Sequence, residues 1–362
     1  MPQKCVAVAM SGGVDSSVAA AILKEECYQV IGITMLLYSE YGNKEAENAR
    51  QVAKNIGIPH HIVDFRRLFE KRVIIPFCNE YQQGRTPNPC INCNSYVKFD
   101  TLLKKAIKLG ADFIATGHYA RVEASTDDYR LLKGVDHSKD QSYFLYTLGQ
   151  KQLQRLLLPL GTLYKNQTKR MARELGLADI TKPESQDICF IPDSDYSSFI
   201  GKRISSPPGD IIDTDGRIIG RHKGLAHYTV GQRQGLGLSS NKRLYVIRLD
   251  TGNNRLVAGS QEHLFTSNLS ANRLSWVSGK APDETANITA KIRYRSPEVK
   301  VNLDINKDTA EVRFAQPQWA VTPGQSTVFY QGEVVLGGGV IETPKLIEGN
   351  EADKHPIHAI LR

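Results

Sequence analysis

No apolar run in the 362 residues approaches the ~20 needed to cross a bilayer, which argues against membrane helices. The first apolar run, Cys5 to Met10, breaks at Ser11-Gly12-Gly13 and so lacks the form of a signal peptide; a cytoplasmic chain is expected. Cysteine is sparse: six in a chain this long make no disulfide framework and are expected to be thiols, some of them reactive. Internal repeats and low-complexity stretches are absent. So is a Gly-Lys-Ser/Thr signature, which excludes a Walker A loop and leaves no adjacent lysine to reach a terminal phosphate. What remains is a globular composition, 41% hydrophobic and 23% charged, too long for one ordinary core.

Charge is unevenly spread. The net charge is +8, and residues 151–262 hold 17 basic against 11 acidic residues, while 1–150 hold 18 against 16 and 263–362 hold 11 of each. A middle segment carrying most of the excess suggests a face for a polyanion.

Ser11-Gly12-Gly13-Val14-Asp15-Ser16-Ser17 lies between an apolar strand-like run and a helix-forming stretch from Val18 to Glu25. A strand that turns through two glycines into a helix presents free backbone N–H groups at the positive end of a dipole, a nest for phosphate oxygens. Ser11, Ser16 and Ser17 add hydroxyls, and Asp15 offers a carboxylate for Mg²⁺ or for capping the helix. This is the pattern of the PP-loop ATP pyrophosphatases.

Strand-like and helix-like stretches alternate onward. Val30 to Leu37 reads as a strand covered on both faces. A helix over 44–56, a strand over 60–65, a helix over 99–109 and a strand over 112–116 follow. The repeated units predict an α/β fold, a doubly wound parallel sheet with its ligand at the carboxyl ends of the strands. Near Pro207-Pro208-Gly209 the texture changes to short alternating runs, with strands read at 244–249, 288–294 and 327–336. The expected organisation is a PP-loop domain over 1–198, a small basic central domain over 199–262, and an antiparallel β-barrel or sandwich over 263–362.

Thr86-Pro87-Asn88-Pro89-Cys90-Ile91-Asn92-Cys93-Asn94 is the second strong signal. The prolines favour a stiff, extended loop. Cys90 and Cys93 have redox or metal-ligand spacing, but there is no second C-x-x-C, and His60 or His61 would have to complete a zinc site. Cys189 follows Ser185-Gln186-Asp187-Ile188 and precedes Phe190-Ile191-Pro192. Cys5 and Cys27 read as structural, and Cys78 is given no role.

These segments, with Ala115 to Tyr119, Lys139 to Leu145, Gly231 to Gly237 and Gly337 to Gly339, occur in one order across nearly the whole chain. Together they resemble the tRNA-specific 2-thiouridylases. The resemblance implies ATP-dependent 2-thiolation of a wobble uridine in tRNA: the uracil 2-carbonyl oxygen is adenylated, pyrophosphate leaves, and sulfur replaces the activated oxygen. It implies Cys93 as nucleophile and Cys189 as persulfide carrier, loaded by a cysteine desulfurase or sulfur-relay protein, with a Cys93–Cys189 disulfide as by-product. It places ATP, with Mg²⁺, against Ala9, Met10, Ser11, Gly12, Gly13, Val14, Asp15 and Ser16, against Met35 and against Gly117. It places tRNA against His118, Lys139, Asp140, Gln141, Arg293, Tyr294, Arg295 and Gln325, with the flipped target base against Asn88, Pro89 and Cys90.

Many members of that family carry aspartate where this chain has Cys90. Cys90, Cys93 and Cys189 therefore also admit a [4Fe–4S] cluster held by three thiols, as in related tRNA-thiolating enzymes. An amidating ligase with structural cysteines, or an RNA-binding protein that uses ATP as a ligand, are the remaining readings.

Overall fold

The computed structural model describes residues 3–38, 42–177, 188–191, 195–238, 243–282 and 287–344. Among them no helix is long and apolar enough to cross a membrane. Ser185 to Asp187 and Pro192, read above as flanking Cys189, lie outside the described residues.

The first region is built on a five-stranded, all-parallel sheet. In it β1 (Cys5–Ala9) lies between β2 (Gln29–Leu36) and β4 (Phe113–Ala115), with β3 (His60–Asp64) beyond β2 and Leu156–Leu157 beyond β4. Alternate β1 side chains serve opposite faces. Val6 and Val8 pack on α1 (Val14–Glu25) and α2 (Gly42–Ile56) through Val18, Leu23 and Val52. Ala7 points the other way, into a cluster with Phe99 and Leu102. Strand order runs outward from β1 to β2 and β3, and β4 lies on its other flank. The switch point, where a ligand crevice forms, is thus at the carboxyl ends of β1 and β4. The glycine-rich loop leaves β1 there, and Thr116-Gly117 leaves β4.

Residues 209–259 form a four-stranded sheet with its own core, including Ile211, Val246 and Leu256. Beyond it, six antiparallel strands close on themselves: Phe265–Trp276 pairs with both Thr309–Trp319 and Val334–Ile341. The alternatives of barrel and sandwich thus resolve to a barrel. The strand read over 288–294 is only Thr289–Lys291, and 327–336 is a hairpin between Ser326–Gln331 and Val334–Ile341, turning at Gly332 with φ +58°.

One connection had no signal in the sequence. A hairpin of the first region, Ala120–Ala124 with Tyr129–Lys133, pairs Leu132 against Val334 of the barrel. Tyr143 and Tyr146, both fully buried, share a core with the barrel's Val328, Tyr330 and Val335.

Candidate active site

A cavity of about 740 Å³ opens at the switch point. The glycine-rich loop after β1 lines part of it. Gly12 takes φ +72°, and a Cβ there would lie 3.0 Å from Asn48 Cβ and from the Glu45 carbonyl oxygen, so both the turn and the packing require glycine. Gly13 is the extended N-cap of α1, and no side chain caps the helix, which leaves its leading N–H groups to a ligand. The serines behave differently from one another. Ser17 donates to the Gly13 carbonyl at 2.8 Å and is fully buried, so it braces the turn. Ser16 donates to the same oxygen at 3.1 Å and accepts from the Ser11 N–H at 3.2 Å. Gly117 abuts α1 from β4: a Cβ on it would sit 2.7 Å from the Asp15 carbonyl carbon and 2.8 Å from the Ser16 nitrogen.

Asp15 does not cap α1. Its carboxylate meets Lys165 Nζ at 2.7 Å through both oxygens and accepts from the Tyr119 hydroxyl at 3.1 Å. Lys165 thus stands beside the loop, although no Gly-Lys-Ser/Thr motif places a lysine within it. Lys165 and Lys169 begin the Lys165–Glu174 helix, one turn apart, and both line the cavity, as does Lys98. Two of the basic residues that gave residues 151–262 their excess therefore face the loop at the switch point. Other lining groups not anticipated include Thr34, which donates to the Met10 carbonyl at 2.9 Å, and Glu45. A lysine pair at i, i+4 beside a helix start was the available signal.

The thiols line the same cavity. Asn88 is extended, its side chain accepts from the Cys90 N–H at 3.2 Å, and Pro89 occupies the first turn. The backbone from Pro89 onward is therefore helical, not the stiff loop expected, because the proline φ and the Asn88 cap together start a helix. From Cys93 to Leu102 it winds with wider i→i+5 turns, a form concentrated at functional sites. Cys90, Cys93 and Cys189 all line the cavity together with Ala9, Met10, Met35, Gly117 and His118. Although Cys90 and Cys189 expose surface to the cavity, their depth within the protein pushes the Cys90 thiol up to about 11 and the Cys189 thiol up to about 12, and the charge of Cys93 adds to both shifts. Burial raises Cys93 as well, and Lys98 pulls all three back down. Among the described residues no group of three or more His, Cys, Asp or Glu side chains is placed to hold a metal ion. The structure therefore gives the [4Fe–4S] reading no support. Nor do His60 and His61 complete a zinc site; His60 Nε2 lies 2.8 Å from Thr34 Oγ1 instead.

Residues 4–193 match the family model described as tRNA methyl transferase HUP domain. Residues 197–260 match the tRNA methyl transferase PRC-barrel domain and 266–341 the aminomethyltransferase beta-barrel domain. The tRNA-specific 2-thiouridylase MnmA of Halothermothrix orenii is 47% identical over 352 residues, covering 93% of this chain and 98% of that protein. The protein of the same name from Carboxydothermus hydrogenoformans is 47% identical over 357 residues, covering 94% and 98%. The chain belongs to the tRNA-specific 2-thiouridylase family.

The residues expected to meet tRNA in that family fall into three groups here. His118 lines the cavity, its Nδ1 2.7 Å from Thr116 Oγ1, and burial holds it well below the usual histidine range, hence neutral. Gln141 also lines the cavity, and its side-chain oxygen accepts from the Tyr119 N–H at 3.0 Å. Asp140 is turned inward: buried, it accepts from the Gly134 and Ser142 N–H groups and the Ser142 hydroxyl, so it orders the loop that carries Lys139. The Tyr294 ring lies tilted by 41° against Phe144 with centroids 4.4 Å apart, and Arg293 donates to the Trp319 carbonyl at 2.9 Å, while Arg295 is exposed. Gln325 donates to the Thr86 carbonyl at 2.7 Å, and Thr86 N–H to the Pro323 carbonyl at 2.8 Å. Those two bonds fasten the strand entering the Cys90 helix to the barrel.

Proposed function

We propose that this protein converts a tRNA uridine to 2-thiouridine with ATP, through adenylation of the uracil 2-carbonyl and sulfur transfer from a protein persulfide. The observation that carries the reading is that a phosphate-cradling helix start and three thiols line a single cavity. Adenylation turns a poor leaving group into AMP. The α1 N–H groups, Lys165 and Lys169 are the groups available to stabilise the departing pyrophosphate. Mg²⁺ would enter with the triphosphate, where it neutralises phosphate charge, because the Asp15 carboxylate is engaged by Lys165 and Tyr119.

Cys189 takes the terminal sulfur from a cysteine desulfurase or relay protein. Cys93 then attacks that persulfide, hydrosulfide leaves toward the activated carbon, and a Cys93–Cys189 disulfide remains. With all three thiols raised by burial, Lys98 is the charge that favours a thiolate on this wall. Residues 1–198 bind ATP and perform the chemistry in this reading, while 199–262 and 263–362 hold tRNA, whose wobble base is flipped toward Asn88, Pro89 and Cys90.

Nucleoside mass spectrometry of a tRNA transcript incubated with ATP and a persulfide donor tests it. 2-Thiouridine and AMP are expected from the wild type, and no 2-thiouridine from Cys93→Ser or Cys189→Ser at unchanged ATP affinity. Formation of ADP instead of AMP, or full thiolation by either variant, would overturn it.

A further inference from the structure

We propose that Cys90 is the resolving thiol of the cycle: it attacks Cys93 in the Cys93–Cys189 disulfide, takes it into a Cys90–Cys93 disulfide, and frees Cys189 for the next sulfur. This deepens the thiolation reading and rests on it.

The placement of the three sulfur residues carries the argument. Cys90 lies in the first turn of the helix begun by Pro89, and Cys93 continues it with φ −60° and ψ −46°. Three residues apart on right-handed helical backbone, their Cα atoms are separated by about 5 Å. That is inside the ~4.4–6.8 Å window of a disulfide, so the Cα separation permits the bond. The Cys93–Cys189 bond has a different cost, because it ties the helix to a segment almost one hundred positions later and occupies the sulfur carrier itself. Cys90 and Cys189 both expose surface, whereas Cys93 is buried, and all three line the one cavity. Cys93 is thus the shared inner partner of two outer thiols, the arrangement that lets a disulfide pass from one to the other at high effective concentration.

The step balances without an outside oxidant. Cys90 loses its proton and its sulfur forms a bond to Cys93 Sγ. The Cys93–Cys189 bond breaks, the electron pair leaves on Cys189 Sγ, and Cys189 takes up a proton. One disulfide is exchanged for another. An external dithiol then reduces the Cys90–Cys93 bond, supplying two electrons and two protons, while Cys189 is already available to the donor.

The full-length protein, persulfidated with a small-molecule persulfide donor and then freed of it, is mixed with ATP and tRNA transcript without reductant. It is quenched in acid, alkylated and mapped by mass spectrometry. The wild type should yield 2-thiouridine, a Cys90–Cys93 link and an alkylated Cys189. In Cys90→Ser, whatever 2-thiouridine forms should be accompanied by a Cys93–Cys189 link, and the variant's turnover at limiting dithiol should fall about tenfold or more relative to its own turnover at saturating dithiol. Wild-type protein that thiolates tRNA but retains only the Cys93–Cys189 link overturns this inference and leaves the parent reading standing. Undiminished multiple turnover in Cys90→Ser does the same. Protein that forms neither 2-thiouridine nor any disulfide overturns both.

Discussion

Lys165 Nζ lies 2.7 Å from both carboxylate oxygens of Asp15, although 150 residues separate them. The side chains are 10% and 28% exposed, so the pair is shielded but open toward the cavity. It holds an ammonium beside the start of α1 while offsetting the Asp15 carboxylate, which would otherwise repel a phosphate there. Lys165→Ala should therefore weaken ATP binding by about tenfold or more and cost about 1–3 kcal/mol of stability, since Asp15 is left without its cation. Titration calorimetry with ATP and a denaturant midpoint measure the two effects separately; unchanged affinity would remove Lys165 from the phosphate site.

Gly117 gives a steric counterpart. A methyl group there meets α1 backbone at 2.7 and 2.8 Å, and backbone does not swing aside as a side chain does. Gly117→Ala should displace the helix start, lowering ATP affinity by about tenfold and stability by about 1–3 kcal/mol. Gly110→Ala is the control: it has a positive φ but nothing within 4 Å of the added methyl, so it should leave ATP binding alone. Equal ATP affinity in the two variants would refute the steric argument.

Thiol reactivity should report the burial of the cysteine wall. With Cys90 raised to about 11 and Cys189 to about 12, both are protonated at neutral pH in the resting protein. Iodoacetamide alkylation followed by peptide mapping should show their rates rising about tenfold per pH unit through pH 10, without a plateau. A plateau near pH 8 would contradict the raised values. The linked effect on stability has a definite sign. The folded state keeps protons that unfolded thiols release above 9, so stability from these groups is present below pH 9 and is lost as pH climbs toward 12.

Gln325 is expected to act at a distance from ATP. Its amide N–H bond to the Thr86 carbonyl, at 2.7 Å, joins the barrel to the strand that leads into Pro87-Asn88-Pro89. Gln325→Ala should raise the KM for tRNA severalfold with ATP affinity unchanged, because the segment proposed to face the target base loses its tether. Equal shifts in both constants would point to a general loss of structure instead.

These residues also mark what the sequence makes legible. The phosphate loop, the parallel sheet and Cys90, Cys93 and Cys189 are local or ordered motifs, and they can be read in sequence because a turn, a strand or a spacing carries its own physical signature. Lys165 cannot be read that way: its approach to Asp15 is set by how two helices pack on one sheet. Asp140 illustrates the reverse failure. A charged residue beside Lys139 and Gln141 invites a role at a surface, yet three donors within its own loop capture it. The helix beginning at Pro89 was hidden because two prolines suggest extension, whereas only the first of them lies in extended chain.

The hairpin that sets Leu132 against Val334 makes the barrel an incomplete object by itself. Cutting the chain near residue 263 would strip Tyr143 and Tyr146 of their apolar neighbours and leave the Tyr129–Lys133 strand with bare amides and carbonyls on one side, an invitation to self-association. The two ends of the polypeptide are therefore expected to melt as one cooperative unit, and fragments that respect the family boundaries are expected to aggregate where the intact chain does not.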